Sequence, residues 1–166
     1  MKSKVITIFI AAILLASLML AGCSSDSDVI ELTMATFWPA SDFQVAEGHR
    51  SWIEEVERRT DGRVKITLQA GEALLGSGEI YEGVVDGVAD IGTTCPAYTP
   101  GYFPLTEAFE LPGYRNVNAV AASMTIHEGY KKIKEDLDID EYEDVKVLFS
   151  WATGPGDVMS SSPVYN

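Results

Sequence analysis

Residues 31–69 read ELTMATFWPASDFQVAEGHRSWIEEVERRTDGRVKITLQ, and the hydrophobic pattern of this stretch decides the fold. Its beginning alternates larger apolar residues at Leu32 and Met34, and its end alternates from Val64 to Leu68, as half-buried strands do. Between these ends, residues recur at steps of three and four along one helical face: Val45, His49, Trp52, Ile53, Val56 and Thr60. Strand, helix and strand in this order predict two parallel strands joined by a right-handed crossover.

Both ends of this predicted helix carry start and stop signals. Ser41 or Asp42 can cap its first turn, because a short side chain with an oxygen accepts from the unpaired backbone N–H groups there. Gly62 can adopt the left-handed conformation that ends a helix.

The alternation of strands and helices continues towards the C-terminus. An apolar stripe from Ile80 predicts a second helix, which Ser77 can cap, and residues 88–93 are a third strand candidate. Residues 117–134 are periodic like a helix, and residues 145–151 alternate like a last strand. The sequence therefore predicts an α/β fold with a mainly parallel sheet flanked by helices.

An export signal precedes this folded part. Two lysines are followed by an apolar run over residues 5–20 that is slightly short for a membrane span. The run closes on LAGC, residues 20–23, which resembles the bacterial lipobox, whose cysteine receives a diacylglyceryl group. We expect a lipid anchor at Cys23 and an extracytoplasmic location, in the periplasm or at the cell surface. The alternative, an uncleaved anchor helix, places the folded part on the same side of the membrane.

The chain divides into three parts on this interpretation. Residues 1–22 are the lipoprotein signal peptide, residues 23–30 a lipid-anchored tether, and residues 31–166 the folded part. A lipid-modified Cys23 leaves Cys95 as the second of the two cysteines, so no internal disulfide is expected.

The charge balance is strongly acidic, with 25 Asp and Glu against 12 Lys and Arg and a net charge of −13. Nucleic acid and anionic membrane surfaces would be repelled. Much of the acid lies in residues 135–144, which could suggest calcium. The twelve-residue loop pattern with its central glycine is absent from that run, which favours a solvated helix end or loop. No metal or other cofactor is predicted.

Aromatic and polar residues follow three of the predicted strands, where the carboxyl ends of a parallel sheet bind ligands. They are Phe37 and Trp38 after the first strand, Thr94, Cys95 and Tyr98 after the third, and Trp151 and Thr153 after the last. Flat rings with a few polar groups suit a pocket for a small organic molecule. Core packing remains the alternative for each ring taken singly.

Catalytic patterns are weak by comparison. His49 and His127 lack the HExxH spacing of a zinc site, and we interpret them as core or surface histidines. Cys95 with one of them could form a thiolate pair, but nothing local supplies the basic surroundings that such a thiol needs. The pattern favours a binding surface over a reaction centre, and we expect no enzyme.

Several segments together resemble the substrate-binding subunit of TRAP transporters, the DctP-like family of extracytoplasmic solute receptors. They are ATFWP at residues 35–39, WIEEVERRTDGRV at 52–64, EIYEGVVDGVADIG at 79–92, AYTPGYFPLTE at 97–107 and ELP at 110–112. Their order and spacing carry the resemblance over most of the chain that follows the export signal.

The resemblance implies a two-lobed, periplasmic-binding-protein-like fold of type II, of which residues 31–166 would be the N-terminal lobe, with the second lobe largely missing. It implies capture of a small organic acid and its delivery to TRAP membrane permease subunits, without chemistry on the ligand. The family's cleft positions correspond here to Phe37 and Trp38, to residues 94–98 and to residues 151–153. Glu79 resembles a position near the cleft, although a surface carboxylate at a helix start is the alternative.

One departure concerns the carboxylate-binding arginine of the family, which the resemblance places after the end of this sequence at Asn166. We therefore expect poor ligand affinity from residues 31–166 alone. Two other function classes stay open at this point: a surface lipoprotein that binds a protein partner, and an enzyme that depends on Cys95.

Overall fold

A parallel three-stranded sheet is the centre of the computed structural model, which describes residues 29–111, 118–153 and 161. The strands are β1 (Ile30–Thr36), β2 (Val64–Gln69) and β3 (Ile91–Thr93), in the spatial order β2-β1-β3. Ile30 lies opposite Val64 on one side of β1, and Met34 lies opposite Ile91 on the other. The predicted α/β fold with a parallel sheet is confirmed.

Three α-helices accompany the sheet within the part of the chain that the structure describes. A π-helix, Gln44–His49, runs directly into α1 (Arg50–Arg59), and the others are α2 (Ile80–Val85) and α3 (Ala119–Leu137). Short 3-10 turns at Pro96–Tyr98 and Glu107–Glu110 follow β3. Wider π-helical turns are often found at functional sites.

The signals at the first helix act as predicted. Asp42 Oδ1 accepts a hydrogen bond from the Gln44 backbone N–H at 2.8 Å. At the other end Asp61 is already left-handed with a φ of 51°, the predicted Gly62 follows with a φ of 74°, and the Gly62 N–H donates to the Glu57 carbonyl at 2.9 Å. Local sequence therefore sets both limits of this helix.

The predicted cap of the second helix is wrong. The Ser77 backbone N–H donates to Glu72 Oε1, and α2 begins only after Glu79. The Glu79 carboxylate accepts from the Gly76 N–H at 3.0 Å. The Glu79 carboxylate thus serves a backbone donor in the loop before α2, and the Ser77 side chain does not cap this helix.

The core lies between β1, β2 and α1. Its centre consists of Met34, Ile53 and Ile66, against which six partly buried residues pack: Leu32, Trp52, Val56, Val64, Leu68 and Ile91. On the other side of the sheet, α2 comes so close to β3 that a Cβ at Gly92 would lie 2.6 Å from Ile80 Cγ2. Burial of the stripe predicted for the first helix is confirmed, since Ile53 is buried and Trp52 and Val56 pack partly buried against the core.

The predicted last strand, residues 145–151, is wrong. Within the described residues this segment is not part of the sheet. Its rings pack instead on the first helix: the centroid of Phe149 lies 5.8 Å from that of Trp52, and Trp151 Nε1 donates to Gln44 Oε1 at 2.8 Å. The alternation of its side chains predicted a buried face but could not specify that a helix would cover it.

The acidic run at residues 135–144 is only partly the solvated loop that was expected. Glu141 accepts hydrogen bonds from the Leu105 N–H, the Thr106 N–H and the Thr106 hydroxyl at 2.6, 2.9 and 2.6 Å. Across the ranges that the structure describes, no group of three or more His, Cys, Asp or Glu residues is arranged to hold a metal ion. The carboxylates here serve the fold.

The expected signal peptide, the Cys23 anchor and most of the tether lie outside the described residues. Within the described ranges no helix is both long enough and apolar enough to span a bilayer.

Candidate functional site

Four rings from distant parts of the sequence meet at one edge of the sheet. The Phe37 ring centroid lies 4.0 Å from that of Trp38 and 5.0 Å from that of Tyr98, in an edge contact. Trp38 in turn lies 5.9 Å from Trp151. We call Phe37, Trp38, Tyr98 and Trp151 the aromatic cluster; the structure brings together all four rings that the sequence predicted.

The end of β1 positions the first two rings. The loop after β2 fixes this end, because the Trp38 carbonyl accepts from the Gly71 N–H at 2.8 Å and the Thr36 carbonyl from the Glu72 N–H at 3.3 Å. Gly71 has a φ of 71°, a conformation that favours glycine. Hydrogen bonds between the loop after β1 and the loop after β2 therefore fix the backbone that carries Phe37 and Trp38.

Tyr98 reaches the cluster from the 3-10 turn after β3. A Cβ at Gly78 would lie 3.1 Å from the Tyr98 carbonyl oxygen, so the glycine permits close approach of the loop before α2. The Tyr98 side chain is 46% exposed and forms the outer end of the cluster. An exposed ring at this place remains accessible to a ligand.

Trp151 joins the cluster from the far end of the described chain. Its indole N–H is bound by Gln44, as noted above, and the Ala152 N–H donates to Ser123 Oγ at 2.9 Å. The Phe149 ring lies 5.5 Å from the Trp151 ring. The π-helix and α3 together therefore orient this tryptophan.

A groove of about 390 Å³ lies beside the cluster, on the side of the π-helix. It is lined by Phe43, Gln44, Glu47, Gly48, His49, Trp52, Phe149 and Trp151. Of the residues that the sequence predicted for the site, Trp151 lines this groove, whereas Phe37, Trp38 and Tyr98 do not. The single hollow expected among the four rings is thus displaced towards the helix.

Sequence reasoning did not select Phe43, Gln44 or Phe149 as site residues. Phe43 is 76% exposed and Gln44 begins the helix, which places both at the carboxyl edge of the sheet next to β1. Their position directly after the capping Asp42 was a signal that could have found them.

His49 lies at the junction of the groove and the cluster. Its ring centroid is 6.0 Å from Trp38 and 5.8 Å from Trp151, and the side chain is 3% exposed. Burial lowers the pKa of His49, and the negative charge of Asp42 opposes this only in part. Among the residues that the structure describes, neither ring nitrogen has a hydrogen-bond partner. It is therefore a neutral core histidine with unused polar atoms.

The remaining predicted residues lie around the cluster without forming one set. The Thr94 hydroxyl donates to the Ser77 carbonyl at 3.2 Å, and Thr153 is exposed. The Glu79 carboxylate is engaged by Gly76 at its own helix start, which favours the structural interpretation of that residue.

Cys95 is half-buried next to the 3-10 turn. Burial, with a further contribution from the negative charge of Glu110, raises the pKa of the Cys95 thiol to about 11. The thiol is therefore protonated near neutral pH, and a protonated thiol is a poor nucleophile. This speaks against the enzyme that was weighed for Cys95.

Comparison with known proteins gives a family match and several structural neighbours. The family described as bacterial extracellular solute-binding protein, family 7 (DctP), matches residues 34–166.

Among the solved structures that are similar to the chain are three solute binding proteins. They are a TRAP periplasmic solute binding protein from Desulfovibrio salexigens (38% identity, TM-score 0.67), a TRAP solute binding protein from Rhodoferax ferrireducens in complex with copurified benzoate (33%, 0.68), and a marine metagenome TRAP solute binding protein specific for aromatic acid ligands, in complex with 3-hydroxybenzoate (30%, 0.69). Each alignment covers 76% of this chain and 38% of the other. The chain thus spans well under half the length of these neighbours.

Proposed function

Because this chain belongs to family 7 of the bacterial extracellular solute-binding proteins, the DctP family, we propose that it captures a small organic acid and delivers it to a TRAP membrane permease. The receptor would work outside the cytoplasm, held at the membrane through a lipid on Cys23. Residues 31–166 would be its N-terminal lobe, and a second lobe would close the ligand-binding cleft.

The ligand that the site supports best is an acid with an aromatic body. The observation that carries this proposal is the aromatic cluster, in which four rings from three separate segments meet at the carboxyl edge of the sheet. Offset and edge contacts between rings contribute about 0.5–1.5 kcal/mol each beyond the burial of their area. A planar ligand ring can continue such a cluster, whereas a bare dicarboxylate offers it nothing to stack on.

Two neighbours support the same ligand class. The Rhodoferax ferrireducens protein was found with benzoate and the marine metagenome protein with 3-hydroxybenzoate. Among the predicted site residues, Phe37, Trp38, Tyr98 and Trp151 would contact the ring of the ligand. Thr94, Cys95 and Thr153 would supply polar groups at its edge, and Glu79 is the member with the least support.

The ligand carboxylate needs a cation as its partner. Arg58 and Arg59 both bind Glu55, at 2.7 Å, on the exposed side of α1. The arginine implied by the family resemblance would form a bidentate, charge-assisted pair with the carboxylate from the opposite side of the cleft.

Thermal-shift measurements on the complete natural protein test the proposal. Benzoate and the hydroxybenzoates are compared with cyclohexanecarboxylate, which has a ring without a flat π face, and with succinate, which has no ring. A ligand at 100 times its Kd stabilises the folded state by about 2.7 kcal/mol. We expect shifts with the aromatic acids that exceed those with both controls.

Two results would decide against this function. Equal shifts with succinate would remove the aromatic preference while leaving a receptor for organic acids. No shift with any acid, together with capture of a protein partner, would favour the surface lipoprotein considered from the sequence.

A further inference from the structure

His49 presents two polar ring nitrogens that no described residue of the chain bonds. It is 97% buried between the rings of Trp38 and Trp151, and it lines the groove beside the cluster. Neither imidazole nitrogen has a hydrogen-bond partner within the described ranges. A buried donor or acceptor without a partner costs about 1–3 kcal/mol, so such groups in native proteins call for an explanation.

The surroundings of His49 restrict what its partner can be. Phe43, Trp52 and Phe149 give the groove an apolar lining, and the Gln44 side-chain oxygen Oε1 already accepts a hydrogen bond from the Trp151 indole N–H. A volume of about 390 Å³ lies within the range of small-molecule sites. The lining also includes Glu47, and the two imidazole nitrogens lie at the junction of groove and cluster, closed off from solvent. A ligand hydroxyl would therefore reach them only by displacing a neighbouring ring.

The protonation state of His49 points to the kind of ligand group. Burial disfavours the imidazolium, so the ring is neutral, with one donor nitrogen and one acceptor nitrogen. A hydroxyl group both donates and accepts and therefore suits a neutral imidazole. A carboxylate only accepts and would be served better by a cation.

We propose that His49 determines specificity by hydrogen-bonding a hydroxyl group on the ligand, so that the receptor prefers hydroxylated aromatic acids over their unsubstituted counterparts. This inference rests on the proposed function, because it assumes that an aromatic acid enters the site. A site built to bond a ligand hydroxyl discriminates against the analogue without it, since the protein's polar group is then left unpaired.

Isothermal titration of the complete natural protein with benzoate and the three hydroxybenzoate isomers tests the proposal. The variants are His49→Phe, which keeps a flat ring without nitrogens, and His127→Phe as the matched control on α3. We expect the wild type to bind at least one isomer about tenfold or more tighter than benzoate, the factor that one hydrogen bond of this kind provides. His49→Phe should bind that isomer and benzoate within about threefold of each other, and His127→Phe should keep the wild-type ratio.

The possible results distinguish a failure of this inference from a failure of the proposed function. Wild-type protein that binds benzoate as tightly as every isomer overturns the role of His49 and leaves the aromatic-acid receptor standing. Binding of none of these acids defeats both. An unchanged preference in His49→Phe, or an equal loss of preference in His127→Phe, also overturns the inference.

A second variant decides the case in which His49→Phe binds nothing because it is misfolded. His49→Gln keeps a donor and an acceptor at the same place, so the hydroxyl preference should survive in it; loss of the preference there overturns the proposal. As an independent readout, the ¹⁵N resonances of the His49 imidazole should move on addition of the preferred isomer more than on addition of benzoate.

Discussion

Glu141 ties the acidic segment to the loop that precedes the Glu107–Glu110 turn, and its neutralisation should destabilise this lobe. In Glu141→Gln the carbonyl oxygen can still accept from the Thr106 N–H and hydroxyl, now as neutral instead of charge-assisted bonds. The new amide group would face the Leu105 N–H, which lies 2.6 Å from the carboxylate in the wild type. Two hydrogen-bond donors, the new amide group and the Leu105 N–H, then face each other where the wild type has one hydrogen bond.

The magnitude follows from these three bonds. A hydrogen bond to a charged group contributes about 1.5–3 kcal/mol and a neutral one about 0.5–1.5, while an unpaired N–H costs a further amount of similar size. Allowing for the partial exposure of the site, we expect a loss of about 2–4 kcal/mol in the free energy of unfolding. Urea denaturation followed by circular dichroism measures it, as a lower midpoint at an unchanged slope.

The matched control is Glu143→Gln, which makes the same charge change at an exposed position two residues away. It should alter the free energy of unfolding by less than about 0.5 kcal/mol. If the two variants lose the same stability, the effect belongs to the net charge and the argument from the Glu141 hydrogen bonds is refuted.

Three further predictions concern the site and its supports. Gln44→Leu removes the acceptor of the Trp151 indole N–H and should weaken aromatic-acid binding about tenfold, which corresponds to the loss of one buried hydrogen bond. Unchanged affinity in isothermal titration would show that this hydrogen bond does not orient the Trp151 ring. Gly92→Ala places a Cβ 2.6 Å from a side chain of α2 and should cost about 1–3 kcal/mol in denaturation, whereas Gly48→Ala, with nothing within 4 Å, is the control that should not. Cys95, with its pKa raised to about 11, should react with iodoacetamide slowly at pH 7 and faster at each higher pH up to that value, because only the thiolate attacks. Mass spectrometry measures the rate of this reaction, and a rate that stops rising near pH 9 would contradict the raised pKa.

Local pattern was sufficient for residues 30–69. The alternation in β1 and β2, the helical stripe between them and the stop at Gly62 all depend on contacts between residues near in sequence or on strict periodicity. They were therefore predictable. The order of elements then implied parallel pairing, which the register of β1 with β2 confirms.

Long-range packing defeated the prediction for residues 145–151. Alternation showed that one face of this segment would be covered, but a helix and a strand neighbour cover such a face equally well. Trp52 and Gln44, about a hundred residues earlier, are what bind Phe149 and Trp151. No feature within the segment identifies these partners.

The sequence by itself determined the α/β class, the ends of the first helix and the meeting of Phe37 and Trp38 with Tyr98, because the order of the strands brings the ends of β1 and β3 together. Trp151 was expected among these rings as well, but it reaches them by packing on the first helix and not from a strand end. Only the tertiary structure decided that the groove lies on the helix side of the cluster and that His49 is buried there without a hydrogen-bond partner among the described residues. The physical reason is that periodicity reports which side chains share a face, whereas the volume left between faces and the pairing of buried polar atoms depend on every element that closes around them.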